Sequence, residues 1–350
     1  MAYIVTFMTL GSKFLILVLA HTEERSYTLG MLEYLHQASK SVISAVSDPL
    51  LLPTSRTFLL YLVTSYLLAL LIHLVENRNS KEKHGPIQDI FPKEVYLHRS
   101  AVVDYIYFLC NTTVGAFILL PFVGLGVMVS REVTSLLGGA GATPRPEHWA
   151  WTLGLTLVLA LVSDFATFFV HLCAHRIPFL WEFHKVHHSA EVMTPVTVYR
   201  MHPVDDALTF MVSGLFVGCA DAVIRCFVDP NFPVVGLYGV TMFTFLFYLC
   251  GYNLRHSHVW LSWGPLLSKV FISPAQHQIH HSKAKQHWNK NFGFMLAVWD
   301  YLFGSLYIPR EHEHLEFGLG NGQEREYSSV LRLYFLPFAK AYAIFRGRPK

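Results

Sequence analysis

Histidine is the residue type in this chain best placed to do chemistry, because twelve of its 20 histidines fall between Val170 and Trp288. They are His171, His175, His184, His187, His188, His202, His256, His258, His277, His280, His281 and His287. His171 and His175 are four residues apart, so on a helix both side chains leave one face, roughly 6 Å apart along the axis. Pro178 interrupts that helix. His184, His187 and His188 follow at positions i, i+3 and i+4, which puts His184 on a common face with both partners. The same triplet recurs at His277, His280 and His281, so the chain reads HxxxH, HxxHH and HxxHH.

Neutral imidazole ligates iron, zinc, copper or nickel, and one ion takes roughly three to six ligands. The eight motif histidines therefore call for two metals if they converge. Spacing does not choose between iron and zinc. A dizinc centre implies hydrolysis by a metal-bound hydroxide, whereas a diiron centre implies activation of dioxygen; a third reading is a noncatalytic protein that uses metals for structure. His256 and His258, just past an apolar run, are further metal-ligand candidates, as is His202 within Arg200-Met201-His202-Pro203. His287 reads as a loop residue or an outer partner. His36, His73, His98, His312 and His314 read as helix caps or hydrogen-bonded surface residues.

The elements that position these groups are read from composition. Hydrophobic residues make up 53% of the chain and charged residues 15%, against about 25% charged in an average soluble domain. A membrane protein follows. The formal net charge of +3, with no basic patch interleaved with aromatics, excludes nucleic acid as a partner. The five cysteines lie in or beside apolar runs without paired spacing and read as small buried hydrophobes in a reducing setting.

A helical crossing needs about 20 apolar residues. Suitable runs are Thr57 to Val75, Ala101 to Val129 (kinked or a hairpin around Pro121), Trp149 to Val170, Ala207 to Phe227 and Phe232 to Tyr252, the last two joined by a tight turn at Asp229-Pro230-Asn231. The expected fold is an all-α integral membrane protein of about four to six transmembrane helices with a cytoplasmic, histidine-rich helical cap holding a dinuclear metal site. Residues 1–55 form an N-terminal segment to which the sequence assigns no place: Ala2 to Ala20 is apolar, but Lys13 interrupts it. Residues 56–310 form the membrane-embedded domain, and 311–350 form a more polar tail in which Leu331 to Phe345 reads as a surface helix.

Charge orients the whole. The loop Glu76 to Ser100 carries Arg78, Lys81, Lys83, Lys93 and Arg99, whereas Arg131 to His148 carries only Arg131 and Arg145, each offset by a Glu. By the positive-inside rule the first loop is cytoplasmic. Counting crossings from there places every motif histidine on the cytoplasmic face, of a bacterial inner membrane or an endoplasmic reticulum.

The stretch Asp164 to Asp205, with His171-xxx-His175-Arg176-Ile177-Pro178-Phe179-Leu180-Trp181-Glu182-Phe183-His184-Lys185-Val186-His187-His188-Ser189, resembles the fatty acid hydroxylase and sterol desaturase superfamily of membrane diiron enzymes. In the same order follow His256-Ser257, Ser273-Pro274, His277-Gln278-Ile279-His280-His281-Ser282, Asn291-Phe292-Gly293 and Trp299-Asp300-Tyr301-Leu302-Phe303-Gly304, so the resemblance covers Phe91 to Pro309. It implies that the eight motif histidines bind two irons, with His256 as a further ligand and O2 as co-substrate. Leu172 stands where many members have Arg, and His258 where many have Asn. The resemblance also implies an apolar lipid substrate, a sterol, a fatty acyl chain or a related lipid, that is hydroxylated or desaturated. Such a substrate arrives from the bilayer, where the aromatic-rich stretch Thr241 to Tyr252 can line its cavity. Asp164, Glu182 and Asp300 are candidates to orient the outer imidazole nitrogens. The chain shows no haem, iron–sulfur or dinucleotide motif, so a separate reductase or redox carrier is the expected electron donor.

Overall fold

The computed structural model describes residues 48–78, 85–122, 124–143, 148–237 and 240–347. The readings on residues 1–47, and on Lys81 and Lys83, fall outside them. The described chain is mostly helical, with one two-residue hairpin, β1 (Gly236–Leu237) against β2 (Val240–Thr241). The principal helices are α1 (Leu59–Glu76), α2 (Arg99–Leu119), α3 (Leu125–Leu136), α4 (Trp149–Arg176), α5 (Pro178–His188), α6 (Pro203–Phe227), α7 (Met242–Leu249), α8 (Pro274–His280), α9 (Val298–Phe303) and α10 (Val330–Phe345).

Among the described residues three helices, α1, α4 and α6, are long and apolar enough to cross a membrane. Their outward faces are greasy. In α1 the buried positions Tyr61, Ser65, Ala69 and His73 recur every fourth residue, while Leu60, Leu67, Leu71 and Leu74 are exposed, a pattern suited to lipid rather than water. Helix α4 has 28 residues, about 42 Å at the α-helical rise. That exceeds the hydrocarbon core of about 30 Å, so its last turns, with His171 and His175, can project beyond it.

One expected run breaks where its proline predicts, and another is not a span. The run Ala101 to Val129 breaks at Pro121, where a 3-10 turn (Leu120–Phe122) and Gly124 at φ +82° separate α2 from α3. The run Phe232 to Tyr252 is a hairpin followed by the eight-residue α7, too short to cross. Its first half holds Pro233, Val234, Val235, Gly236 and Val240, residues that favour extended backbone over helix. Helix starts only at Met242, capped by Thr241, whose hydroxyl accepts from the Thr244 amide. The turn after α6 forms as expected, with the Asn231 amide donating to Asp229 Oδ1 at 3.0 Å.

Polar and small residues hold the helices in register. Gly218 of α6 packs so closely on α3 that an added Cβ would stand 2.5 Å from the Gly126 carbonyl, the small-residue contact by which membrane helices approach. One turn on, Ser130 Oγ donates to Asp221 Oδ2 at 2.6 Å, and Arg225 Nε donates to the same oxygen at 2.8 Å. Nearer the histidines, the fully buried Arg200 donates to Asp104 Oδ1, to the Val186 carbonyl at 2.9 Å and to the Tyr327 carbonyl at 3.1 Å. A single guanidinium thus ties α2, α5 and the tail together.

Asp164 of α4 accepts from the Met295 and Leu296 amides and from Trp299 Nε1 at 2.8, 3.2 and 2.8 Å, anchoring the segment that leads into α9. The tail helix α10 forms where expected, but one face seals α5: Phe338 and Phe345 meet Phe183 and Phe179 at ring distances of 5.1 and 5.2 Å.

Candidate metal centre

Nine histidines converge in two adjoining groups. The first comprises His171, His175, His184, His188 and His280, the second His187, His256, His277 and His281; within each, one ring nitrogen per residue lies within 4.8 Å of all the others. These are the eight motif histidines and His256. Each triplet divides between the groups instead of presenting one common face. In α5, His184 and His188, a turn apart, enter the first group while His187 enters the second. At α8 the division is reversed: His277 and His281 enter the second group and His280 the first. The two HxxHH segments therefore interlock, and His188 and His281 stack at 4.6 Å across the boundary.

Local sequence explains the placement. Pro178 at the start of α5 turns the chain sharply after α4, so that two short histidine-bearing helices can face each other. Helix α8 opens with a capping box, the Ser273 hydroxyl accepting from the Gln276 amide at 3.2 Å and Gln276 Oε1 from the Ser273 amide at 2.9 Å, with Pro274 at its first position. His256 arrives on the 3-10 turn Tyr252–His256.

The outer nitrogens of three rings are engaged. His171 Nδ1 donates to the Phe292 carbonyl at 2.8 Å, His280 Nδ1 to the Lys290 carbonyl at 2.8 Å and His184 Nδ1 to Asp205 Oδ2 at 2.6 Å. Each leaves a buried Nε2 without a hydrogen-bond partner. This is what a metal requires: an outer hydrogen bond fixes the tautomer, and the inner lone pair is left for the ion. Other inner nitrogens crowd together, with Nε2 atoms 3.1 Å apart in His175–His188, 3.3 Å in His187–His256, 3.0 Å in His256–His277 and 3.2 Å in His277–His281. Nitrogens bound at about 2.1 Å and at right angles to one ion lie about 3.0 Å apart. The donor set fits two divalent transition-metal ions.

Electrostatics keep the rings neutral, the form that binds metal. Burial pushes His187, His188, His256, His277, His280 and His281 well below the ordinary value of 6.5, and neighbouring imidazoles push the same way. The guanidinium of Arg255, held by the Phe294 carbonyl at 2.8 Å and lying 4.6 Å over the Tyr252 ring, further disfavours protonation of His256 and His277.

Two sequence candidates lie apart from both groups. His258 Nε2 donates to the Asp89 carbonyl at 2.8 Å. His202 caps α6, its Nδ1 accepting from the Val204 amide at 3.1 Å while Nε2 donates to the Tyr334 carbonyl at 3.0 Å. The Nδ1 of His258 is buried without a partner, but neither ring belongs to either histidine group. His287 faces Glu313 at 3.0 Å.

The three acids expected to orient imidazoles have other partners. Asp164 holds backbone and an indole, and Glu182 pairs with Lys185 at 2.8 Å. Asp300 accepts from the Phe292 and Gly293 amides at 2.7 Å each, which fixes the loop whose Phe292 carbonyl meets His171. Burial pushes Asp300 up, and those hydrogen bonds oppose it. There is no room for a side chain at position 293: a Cβ would meet the Leu296 carbonyl at 2.5 Å. Sequence reasoning missed the carboxylate that does bind a ring, Asp205, and the carbonyls of Phe292 and Lys290. Only Asp205 left a signal, as an acid in the first turn of a helix that opens His-Pro.

Long apolar helices beside two groups of inward-facing imidazoles define a membrane protein with paired metal-binding capacity. Residues 156–305 match the model of the fatty acid hydroxylase family, and the chain carries that family's domain. It is 29% identical over 170 residues to an ornithine lipid hydroxylase of Rhizobium tropici, covering 48% of this chain and 47% of that one. It is 27% identical over 176 residues to an alkylglycerol monooxygenase of Caenorhabditis elegans, covering 50% and 30%. A Delta(7)-sterol 5(6)-desaturase of Eremothecium gossypii is 27% identical over 163 residues, covering 47% and 40%. The matched regions span less than half the length of each of these relatives. No solved structure matches the chain.

Proposed function

We propose that this protein is a membrane-bound diiron oxygenase that uses O2 and two external electrons to hydroxylate or desaturate an apolar lipid. The observation that carries the reading is the pair of adjoining all-imidazole groups next to lipid-compatible helices. The relatives' names, lipid hydroxylase, monooxygenase and desaturase, favour oxidation over hydrolysis. His171, His175, His184, His188 and His280 would hold one iron, and His187, His256, His277 and His281 the other. Bound there, the irons would supply reductive activation of dioxygen and attack on an unactivated C–H bond.

The chain's own residues do the rest. Asp205 and the carbonyls of Phe292 and Lys290 orient three rings, and the buried Phe168 and Phe292 with the half-buried Trp181 line one side of the first group. The all-nitrogen, neutral ligand set would leave the charge of two bound cations uncompensated. A separate reductase or redox carrier supplies the electrons. The basic residues Arg78, Lys93 and Arg99 favour the cytoplasmic face for the centre, within a bundle of about four to six crossings. The domain of 56–310 holds every ligand.

Lipid extracts from cells with and without the gene, compared by mass spectrometry, test the reading. The expected difference is a lipid that gains one oxygen or loses two hydrogens, absent when His280→Ala or His187→Ala replaces the wild type. Full activity in either variant, stably folded, contradicts the ligand assignment.

A further inference from the structure

One stretch of backbone reaches both histidine groups. Between 290 and 294 the carbonyls of alternate residues turn to the site. Lys290 accepts from His280 Nδ1 and Phe292 from His171 Nδ1, each at 2.8 Å, and Phe294 accepts from Arg255 Nη2 at 2.8 Å. The two rings belong to the first group, whereas Arg255 directly precedes His256 of the second, on the turn Tyr252–His256. The rest of the stretch is tied down as well. Asp300 takes the Phe292 and Gly293 amides, and Asp164 of α4 takes the Met295 amide at 2.8 Å. Asn291, held at φ +57°, donates from Nδ2 to the Gln276 carbonyl at 3.0 Å, one residue before His277.

Arg255 is an unexpected residue in that place. It is 2% exposed, and burying a cation is costly. It also stands beside rings suited to hold a second cation, so its charge opposes the metal. Its help in keeping His256 and His277 neutral is secondary, because burial is the larger cause for both. Geometry gives the reason that charge does not. The guanidinium lies 4.6, 5.3 and 5.6 Å from the ring centres of Tyr252, Phe247 and Phe294, a cage that fixes its position by cation–π contact. From there it donates to the Phe294 carbonyl while its own backbone carries His256.

We propose that Arg255 is a positioning residue that clasps the turn bearing His256 to the loop orienting His171 and His280, so that the two metal sites load together. It acts through the Phe294 carbonyl, not on the metals. The proposal rests on the reading that both histidine groups hold metal. Filling the second group fixes His256 and its turn, hence Arg255 and the loop, and the first group then finds two of its rings already oriented. Such coupling runs equally in the other direction.

Metal uptake and hydrogen exchange test it without turnover. Full-length metal-free protein in detergent micelles is titrated with Co2+, with bound metal counted per chain, and amide exchange of residues 290–296 is followed by mass spectrometry before metal is added. Wild type should take up two Co2+ in one steep transition. Arg255→Gln should weaken uptake by about tenfold or more and split it into two steps. Its 290–296 segment should exchange faster, while α6 exchanges as in the wild type. A residue acting by charge alone predicts the opposite sign, because removing one cation tightens the binding of another. If Arg255→Gln fails to fold, Arg255→Lys decides: it keeps the charge in the aromatic cage but lacks the planar fork and its reach, so uptake should split in the same way. Uptake as tight as in the wild type or tighter, or unaltered exchange of 290–296, overturns the proposal. Two Co2+ bound alike by wild type and variant defeats the clasp alone. A wild type that binds no Co2+ defeats the metal reading and the joint loading with it, and the exchange result still decides whether Arg255 holds the loop.

Discussion

At the scale of single residues, the chemistry depends on which nitrogen of each ring is free. Asp205 accepts from His184 Nδ1 at 2.6 Å with both side chains buried. Asp205→Asn should therefore lower metal affinity by about 10–100-fold, seen as metal lost on dialysis while the helical content is unchanged. The buried rings also set an acid limit. Their folded-state values lie below the 6.5 of an unfolded histidine, so between those values and 6.5 the unfolded chain binds more protons, and stability falls as pH drops. Metal-free protein should show a melting temperature that declines steeply from pH 7 to pH 5 in a titration with a thermal-shift dye. The nine clustered histidines were legible because i, i+3 and i+4 spacings repeat and His256 follows an apolar run. Asp205 showed only as an acid in the first turn of a helix; its pairing with His184, 21 residues away, follows from no spacing rule. Backbone carbonyls carry no side-chain signature at all. His202 and His258 look like ligands in the sequence, and only three-dimensional placement shows both rings outside the two histidine groups, each with Nε2 donating to a backbone carbonyl.

At the scale of elements, the long helices hold the short histidine-bearing ones in place through a few close contacts. Gly218→Ala would force its Cβ against the backbone of Gly126, an obstruction no side-chain rotation relieves. We expect a loss of about 1–3 kcal/mol, read as a lowered melting temperature in detergent, with the substitution Gly85→Ala, whose Cβ has nothing within 4 Å, as the unaffected control. Helices α4 and α6 were legible from uninterrupted hydropathy. The run Phe232 to Tyr252 misled because hydropathy does not distinguish an apolar hairpin followed by a short helix from a crossing; Pro233 and the β-branched residues after it carried the correct signal. The tail helix was legible as a helix, but not its packing on α5, which depends on aromatic contacts between residues over 150 positions apart in the chain.

At the scale of the whole molecule, the proposed reading joins the two histidine groups and the apolar helical frame into one device that would present a lipid C–H bond to a pair of metals. The match of residues 156–305 to the fatty acid hydroxylase family model points to lipid oxidation as the chemistry to test; the metal decides it. The most direct measurement is metal analysis of active protein purified without oxygen, joined to incorporation of 18O from labelled O2 into a lipid product where that product is an alcohol. We predict two irons per chain, lost together in His188→Ala or His281→Ala, since those rings stack across the boundary at 4.6 Å. An active preparation with two zinc ions and no iron would contradict the account.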